Sequence, residues 1–409
     1  MKKIICLIGI LGCIIFVFPK EKKIEEVKIE NKKSNLLSMM LETSAGTGKY
    51  QKTLASSWPT EGYVFNEDLS KCEMGSSLSW DSINKKVIME GNGADKCYVY
   101  FDKTFTLAEY VKAQYTGTQG ENNLYYHDSS LENGAGDNSY RYAGSSETTN
   151  NFVCFGYDST DGSCPTDYLY RIIGVFDDQV KLIKYDYAKS TLLGTDGDYY
   201  NTYSKSGWTG TNKGDNSDLE IGAFYWNLNT KTNVWSDGKL NTINLNKNYI
   251  NNIGTKWSEK ISVHTWKVGG NTFDKIGEQT APNAYQNEIN SPATNKTVNA
   301  KVGLMYVSDY MYAVPQDKWT LYGYKYGDSS MTYYAAKGVN WMYMGLLEWT
   351  LTPMTNFPDD AFLWYGWNAY HYPVNFDTNI AVRPVLYLKS TVGYSAGSGT
   401  ISSPYILAD

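Results

Sequence analysis

Fifteen uninterrupted apolar residues, Ile4 to Phe18, follow Lys2 and Lys3 and give way to Pro19 and the charged run Lys20-Glu21-Lys22-Lys23. As a helix this run rises roughly 22 Å, short of the roughly 30 Å hydrocarbon core. Residues 1–19 therefore read as an export signal in preference to a stable span, with a retained membrane anchor as the alternative because no A-x-A cleavage site follows. Ile10-Leu11-Gly12-Cys13 loosely resembles a bacterial lipobox, although the apolar run continues beyond its cysteine. Residues 20–35 are rich in Lys and Glu and read as a solvated stalk, part of a polar segment over 20–56. Leu36 to Leu41 predicts a short helix before the Ser-Ala-Gly-Thr-Gly break at 44–48.

From Gly62 the pattern changes to short alternating runs: Tyr63 to Phe65, Ser77 to Trp80, Lys86 to Met89 and Cys97 to Phe101. Period two with turn residues between predicts a small antiparallel β domain over 57–103. Thr106 then caps a helix predicted over Leu107 to Tyr115, within a connector at 104–119. Beyond residue 120 the chain carries many Gly, Asn, Asp and Ser turns. Strands are predicted at Tyr168 to Phe176, Val180 to Tyr185, Ser262 to Val268, Val302 to Val307 and Val382 to Leu388. Short helices are predicted at Leu245 to Ile253, at Asp309 to Ala313 behind Ser308, and at Met342 to Thr350. The class that follows is α+β, irregular and loop-rich.

Composition changes this picture in two places. The chain holds 37 basic against 43 acidic residues. Without Lys2, Lys3, Lys20, Lys22, Lys23 and Glu21 it carries 32 against 42, a net charge of −10. That field opposes phosphate backbones and argues against nucleic-acid binding. Only Arg141, Arg171 and Arg383 are arginine, while Asn, Tyr, Ile and Lys abound, the usage an AT-rich coding sequence produces. The rare arginines thus carry information, since lysine cannot supply their planar five-donor fork. Arg171 and Arg383 read as structural anchors. Cys6 and Cys13 lie in the leader and leave Cys72, Cys97, Cys154 and Cys164, an even number that suits an oxidising compartment. Three pairings are formally open, and proximity favours Cys72–Cys97 and Cys154–Cys164.

Familiar catalytic motifs fail on context. Gly393-Tyr394-Ser395-Ala396-Gly397 matches G-x-S-x-G, but no histidine follows it. Gly46-Thr47-Gly48-Lys49 lacks the first glycine of a P-loop. His127, His264 and His371 form no pair at zinc-ligand spacing, so no metal centre is assigned. Asp158-Ser159-Thr160-Asp161-Gly162 and Asp215-Asn216-Ser217-Asp218 gather oxygens that suit calcium, without EF-hand spacing. The most informative stretch is 340–389. Its middle interleaves rigid rings with short hydrogen-bonding side chains, the composition of a recognition surface for sugars or apolar groups. The candidate ligand-binding residues are Asp359, Asp360, Tyr365, Trp367, Asn368, Tyr370, His371 and Tyr372, while alternation assigns Phe362 and Trp364 to a buried face.

Tyr170 to Phe176, Val180 to Lys184, Val302 to Tyr310, Glu348-Trp349-Thr350 and Val382-Arg383-Pro384-Val385, taken in order, resemble a family of uncharacterised exported domains of Gram-positive bacteria. That family is similar in its closing half to the C-type-lectin-like fold of formylglycine-generating enzymes and bacterial surface ligand-binding proteins. Leu347-Glu348-Trp349-Thr350 and Ala381-Val382-Arg383 occupy the places of its W-E-W-T element and terminal G-F-R strand, which makes Trp349 structural alongside the two arginines. No cysteine follows Cys164, so the copper-binding pair of the sulfatase-activating enzymes is missing. The resemblance implies a C-type-lectin-like main domain over 120–409, preceded by the disulfide-pinned β domain. It also implies display of a binding loop at 354–379 toward an extracellular glycan or protein, with tethering through the N-terminal segment. No catalytic residue follows from it. Two other readings stand beside this one: a hydrolase using Asp359 or Asp360 with Glu348, and a purely structural surface or pilus-like component.

Overall fold

The computed structural model describes residues 37–53, 57–59, 62–91, 94–159, 162–204, 220–272, 279–290, 295–323, 339–365 and 368–408. The leader expected at 1–19 lies outside them. The chain divides into two units, residues 1–103 and 104–409.

The first unit holds β1 (Leu37–Glu42), β2 (Tyr50–Thr53), β3 (Tyr63–Cys72), β4 (Ser77–Asp81), β5 (Lys86–Glu90) and β6 (Cys97–Lys103). One sheet has the order β2-β1-β6-β3, and β4–β5 forms a separate hairpin. Its core is Met39, Val87, Val99 and Phe101, covered by Phe65 and Trp80. A core this small gains from a staple, and Cys72–Cys97 supplies it by joining directly paired residues of β3 and β6. Three expectations are corrected here. Ordered structure begins within the stretch read as polar stalk, and β1 is parallel to β6, so the sheet is mixed. The helix expected over Leu36 to Leu41 is this strand. Leu and Met favour helix by only tenths of a kcal/mol per residue, which pairing on both sides outweighs. Buried Glu42 then fastens the strand end by accepting the Gly48 and Lys103 N–H groups at 2.7 and 3.0 Å.

In the second unit the Leu107–Ala113 helix begins with a reciprocal cap: Thr106 Oγ1 accepts the Glu109 N–H and Glu109 Oε2 accepts the Thr106 N–H. The strands that follow are β7 (Leu124–Tyr126), β8 (Tyr140–Tyr142), β9 (Phe152–Cys154), β10 (Leu169–Phe176), β11 (Gln179–Lys184), β12 (Tyr199–Ser204), β13 (Glu220–Phe224), β14 (His264–Lys267) and β15 (Thr297–Ala300). After them come β16 (Val302–Gly303), β17 (Leu347–Pro353), β18 (Asp360–Tyr365), β19 (Asn368–Pro373), β20 (Val385–Tyr387), β21 (Tyr394–Ala396) and β22 (Ile406–Leu407). The principal sheet runs β16-β20-β11-β10-β8-β7, with β9 also on β10, and every pairing is antiparallel. Strand β10 is buried from Leu169 to Val175, as a strand covered on both faces must be. Gly174 is required there, because a Cβ would meet the Tyr140 carbonyl oxygen at 2.3 Å.

Side-chain amides close both edges of this sheet. Gln119 donates to the Tyr126 carbonyl and accepts the Tyr126 N–H, at 3.0 and 2.9 Å. At the far edge Asn246 donates to the Val302 carbonyl and accepts the Val302 N–H, at 2.9 and 3.0 Å. Each amide stands where a further strand would pair and so blunts the edge. Asn246 lies in a π-helix, Leu240–Tyr249, that continues as α-helix to Asn252, so the helix expected over Leu245 to Ile253 is present and begins five residues earlier. Asn241, Asn244 and Asn248 of this segment also donate to main-chain carbonyls.

A second, three-stranded sheet has the order β17-β18-β19. The helix expected over Met342 to Thr350 is absent, and its second half is β17. Glu348 and Trp349 there pair with Trp364 and Leu363 of β18, and Glu348 also bridges Ala381. Arg383 binds Glu348 through two nitrogens, Nε to Oε1 at 2.7 Å and Nη2 to Oε2 at 2.9 Å, with both residues buried. Trp349 is fully buried and donates to the Phe224 carbonyl at 2.7 Å. Arg171, also buried, is satisfied by neutral acceptors, Asn151 Oδ1, Ser146 Oγ and the Thr149 and Trp341 carbonyls. Cys154–Cys164 is the second disulfide. Among the described residues no helix is long and apolar enough to cross a membrane, and the architecture is α+β.

Removing one partner of a buried ion pair strands the other charge, which costs about 3–5 kcal/mol. Glu348→Ala is expected to lower stability by that amount in urea unfolding. A loss below about 1 kcal/mol, the scale of an exposed pair, would contradict the bidentate anchor.

Candidate functional site

Buried charge supports the second sheet from beneath. Lys181 of β11 and Asp309 of the Val307–Tyr312 helix are both buried, with Nζ 2.6 Å from Oδ2. The same Oδ2 accepts the Tyr306 N–H at 2.9 Å, so Asp309 also caps its own helix. Arg141 of β8 binds Asp137 at 2.6 Å and stands 4.0 Å from Asp309 Oδ1. Rings wrap both cations: the Arg141 guanidinium is 4.6 Å from the Phe176 centroid, and Lys181 Nζ is 4.9 Å from that of Tyr306. Burial alone would raise the Asp137 carboxyl, but Arg141, Ser139 and Tyr285 hold it well below the usual carboxylate range. Glu288 closes the cluster. It accepts the Ser308 N–H at 3.0 Å and the Thr352 hydroxyl at 2.5 Å, and burial pushes its carboxyl up to about 7.

The next residue of the helix carries this support outward, because Tyr310 stacks on Trp364 of β18 at 3.9 Å. Phe362 and Trp364 are buried, as alternation indicated. Strand β19 pairs along β18 from Asn368 against Tyr365 to Pro373 against Asp360. The expected site residues divide accordingly. Tyr370, His371 and Tyr372 are half-buried on β19, Asn368 is half-buried at its start, and Asp359 is exposed just before β18. Tyr365 ends β18, and Trp367 lies outside the described residues. Asp360 differs from expectation. It is only 7% exposed, and its Oδ2 is held by His371 Nδ1 at 2.5 Å. It orients a ring and is not presented to a ligand hydroxyl.

Two phenylalanines complete the surface. Phe376 stacks on Tyr372 at 4.4 Å, and Phe357 faces His371 at 6.1 Å, with Phe357 48% and Phe376 37% exposed. Tyr370 lies nearly parallel to His371 at 5.2 Å. Both phenylalanines fall inside the loop bounds taken from sequence, yet neither was singled out there. Their signal is the turn prolines and asparagines around them, which leave an apolar ring no strand face to bury. Residues 354–380 contain Asp359, Asp360 and Asp377 and no Lys or Arg. This segment itself supplies ring faces and carboxylates and no Lys or Arg.

The carboxylate-pair alternative is not assembled. Glu348 is locked to Arg383 and registers with Trp364, four residues along β18 from Asp360. At roughly 3.3 Å per residue this places the two backbone positions about 13 Å apart along the strand, against the roughly 5–9.5 Å between carboxyls of glycosidase pairs. Of the candidate calcium clusters, Asp158 is paired with Lys256 at 2.7 Å, while Thr160, Asp161 and Asp215 to Asp218 lie outside the described residues. Among the described residues, the one metal-like grouping is Cys72, Asp95 and Cys97, whose sulfurs are joined to each other.

Comparison of the chain with protein-family models, curated proteins and solved structures finds no match.

The Glu288 shift fixes a pH dependence. Its folded value, about 7, lies above the ordinary 4.5, so the folded state holds a proton that the unfolded state releases. The associated stability is complete below about 4.5 and is lost as pH rises through about 7. Thermal midpoints are expected to fall between pH 5 and pH 8, with a shallower fall in Glu288→Gln. An equal slope in the variant would show that this carboxyl is not responsible.

Proposed function

We propose that this chain is an exported surface protein whose main domain binds an extracellular ligand through the β18–β19 hairpin. A neutral glycan, or a protein segment with an apolar face, suits the ring surface best. The single observation that carries the reading is the row of half-exposed rings along β19, Tyr370, His371 and Tyr372, extended by Phe357 and Phe376. Exposed apolar rings clustered together, here Phe357 and Phe376 flanking the half-buried rings of β19, mark interaction sites more often than scattered single ones do. Rings held by a paired strand bind with little ordering cost, since stacking against their neighbours already restricts their rotamers. The absence of basic residues in 354–380 favours a neutral ligand over a sulfated or phosphorylated one.

The C-type-lectin-like scaffold belongs to this proposal. Its support is that the two elements carrying the resemblance, Leu347 to Thr350 and Ala381 to Arg383, meet through the Glu348–Ala381 bridge and the Arg383–Glu348 pair. Export is supported by the leader-like run at 1–19 and by two disulfides, which persist in oxidising compartments.

The test is a glycan and protein array probed with the wild-type chain and with the triple variant Tyr370→Ala, Tyr372→Ala, Phe376→Ala. Each stacked ring is worth about 1 kcal/mol, and each 1.4 kcal/mol is tenfold in affinity. Loss of about a hundredfold on whichever ligand the wild type selects is expected, with near-UV circular dichroism unchanged. Equal binding by the triple variant would remove the hairpin as the site.

A further inference from the structure

We propose that Lys181 and Asp309 are the two halves of an intramolecular amide crosslink, formed within the folded domain with loss of one water. The pair is placed for it. Nζ lies 2.6 Å from Oδ2, both side chains are almost fully buried, and the residues stand 128 apart in sequence. The amine sits among the rings of Phe176, Trp266, Tyr306 and Tyr387, with centroids 4.9–6.0 Å away. These surroundings exclude water, and burial lowers the Lys181 pKa, favouring the free amine that acts as nucleophile. The carboxyl is held for attack by the Tyr306 N–H on Oδ2 and by the Arg141 guanidinium 4.0 Å from Oδ1. Both can take up charge developing on oxygen at a tetrahedral centre. Glu288 steadies this segment from behind, its carboxyl accepting the N–H of Ser308, the residue before Asp309.

The step balances without a co-reactant. An ammonium and a carboxylate enter as a pair, and one proton passes from Nζ to the carboxyl, leaving a free amine and a carboxylic acid. The amine nitrogen adds to Asp309 Cγ and forms the C–N bond. A proton moves from that nitrogen directly to the departing oxygen. One C–O bond breaks, the oxygen leaves as water, and a neutral amide remains. No group is oxidised or reduced. The product exchanges a buried ion pair, whose desolvation is costly, for a bond between β11 and the Val307–Tyr312 helix.

Intact-mass measurement of the full chain, reduced and denatured, tests this directly, together with tryptic peptide mapping. The expected result is a mass short by one water, about 18 Da, and a branched peptide joining the segments that contain Lys181 and Asp309. Asp309→Asn is expected to release ammonia in place of water, a deficit of about 17 Da from the variant's own mass. Lys181→Arg is expected to show neither deficit nor branched peptide. A folded wild-type chain of full mass without a branched peptide would overturn the proposal, whatever the variants do. A deficit that persists in Lys181→Arg would overturn it too, by placing the lost water elsewhere.

Discussion

Asp309 serves three parts of the second unit with one carboxylate: it caps the Val307–Tyr312 helix, takes the ammonium of Lys181 on β11, and faces the guanidinium of Arg141 on β8. A buried carboxylate is tolerable only where cations and N–H donors replace its water shell. Strand and helix must therefore stop at the spacing that lets them share this group. Phe176, Tyr306 and Tyr387 then fill the volume that hydrating water would occupy. Glu288 sits beside this cluster and holds Thr352 of β17 on one oxygen and Ser308 on the other, so the same patch of charge fixes where the second sheet starts.

The hairpin inherits its rigidity from that arrangement. Tyr310, one residue beyond Asp309, stacks on Trp364, and Thr350 of β17 donates to the Phe362 carbonyl at 2.8 Å. Strand β18 is thus packed on both faces, and its partner β19 is left to carry the rings that reach solvent. Arg383 does comparable work on the other side, where its bidentate bond to Glu348 joins β17 to the segment that becomes β20. Stacking against neighbours keeps the rings in place before any ligand arrives.

Much of this was legible in residues. The strands Tyr168 to Phe176 and Val180 to Tyr185 read from two apolar runs, which pair antiparallel, and Thr106 announces the helix that it caps. Arg171 and Arg383 stood out as anchors because arginine is so rare, and both are buried. Other features were hidden for physical reasons. Met342 to Thr350 has strong local helix formers, and only the distant partners Leu363 and Ala381 make its second half a strand. The asparagines of 241–252 looked like coding bias, yet Asn244 and Asn246 satisfy backbone groups about fifty residues away. Asp360 carried the composition of a ligand contact, but pairing with His371 across the hairpin commits it internally. Local pattern reports periodicity and turns, while partners chosen across the chain decide which polar groups are spent on the fold.

Hydrogen–deuterium exchange followed by mass spectrometry tests most directly whether the buried charge cluster is the centre of stability. The slowest amides are expected in β10, β11 and the Val307–Tyr312 helix, opening only with global unfolding, while β19 exchanges sooner as an outer strand. A Val307–Tyr312 helix that exchanges as fast as β19 would contradict the place given to Asp309.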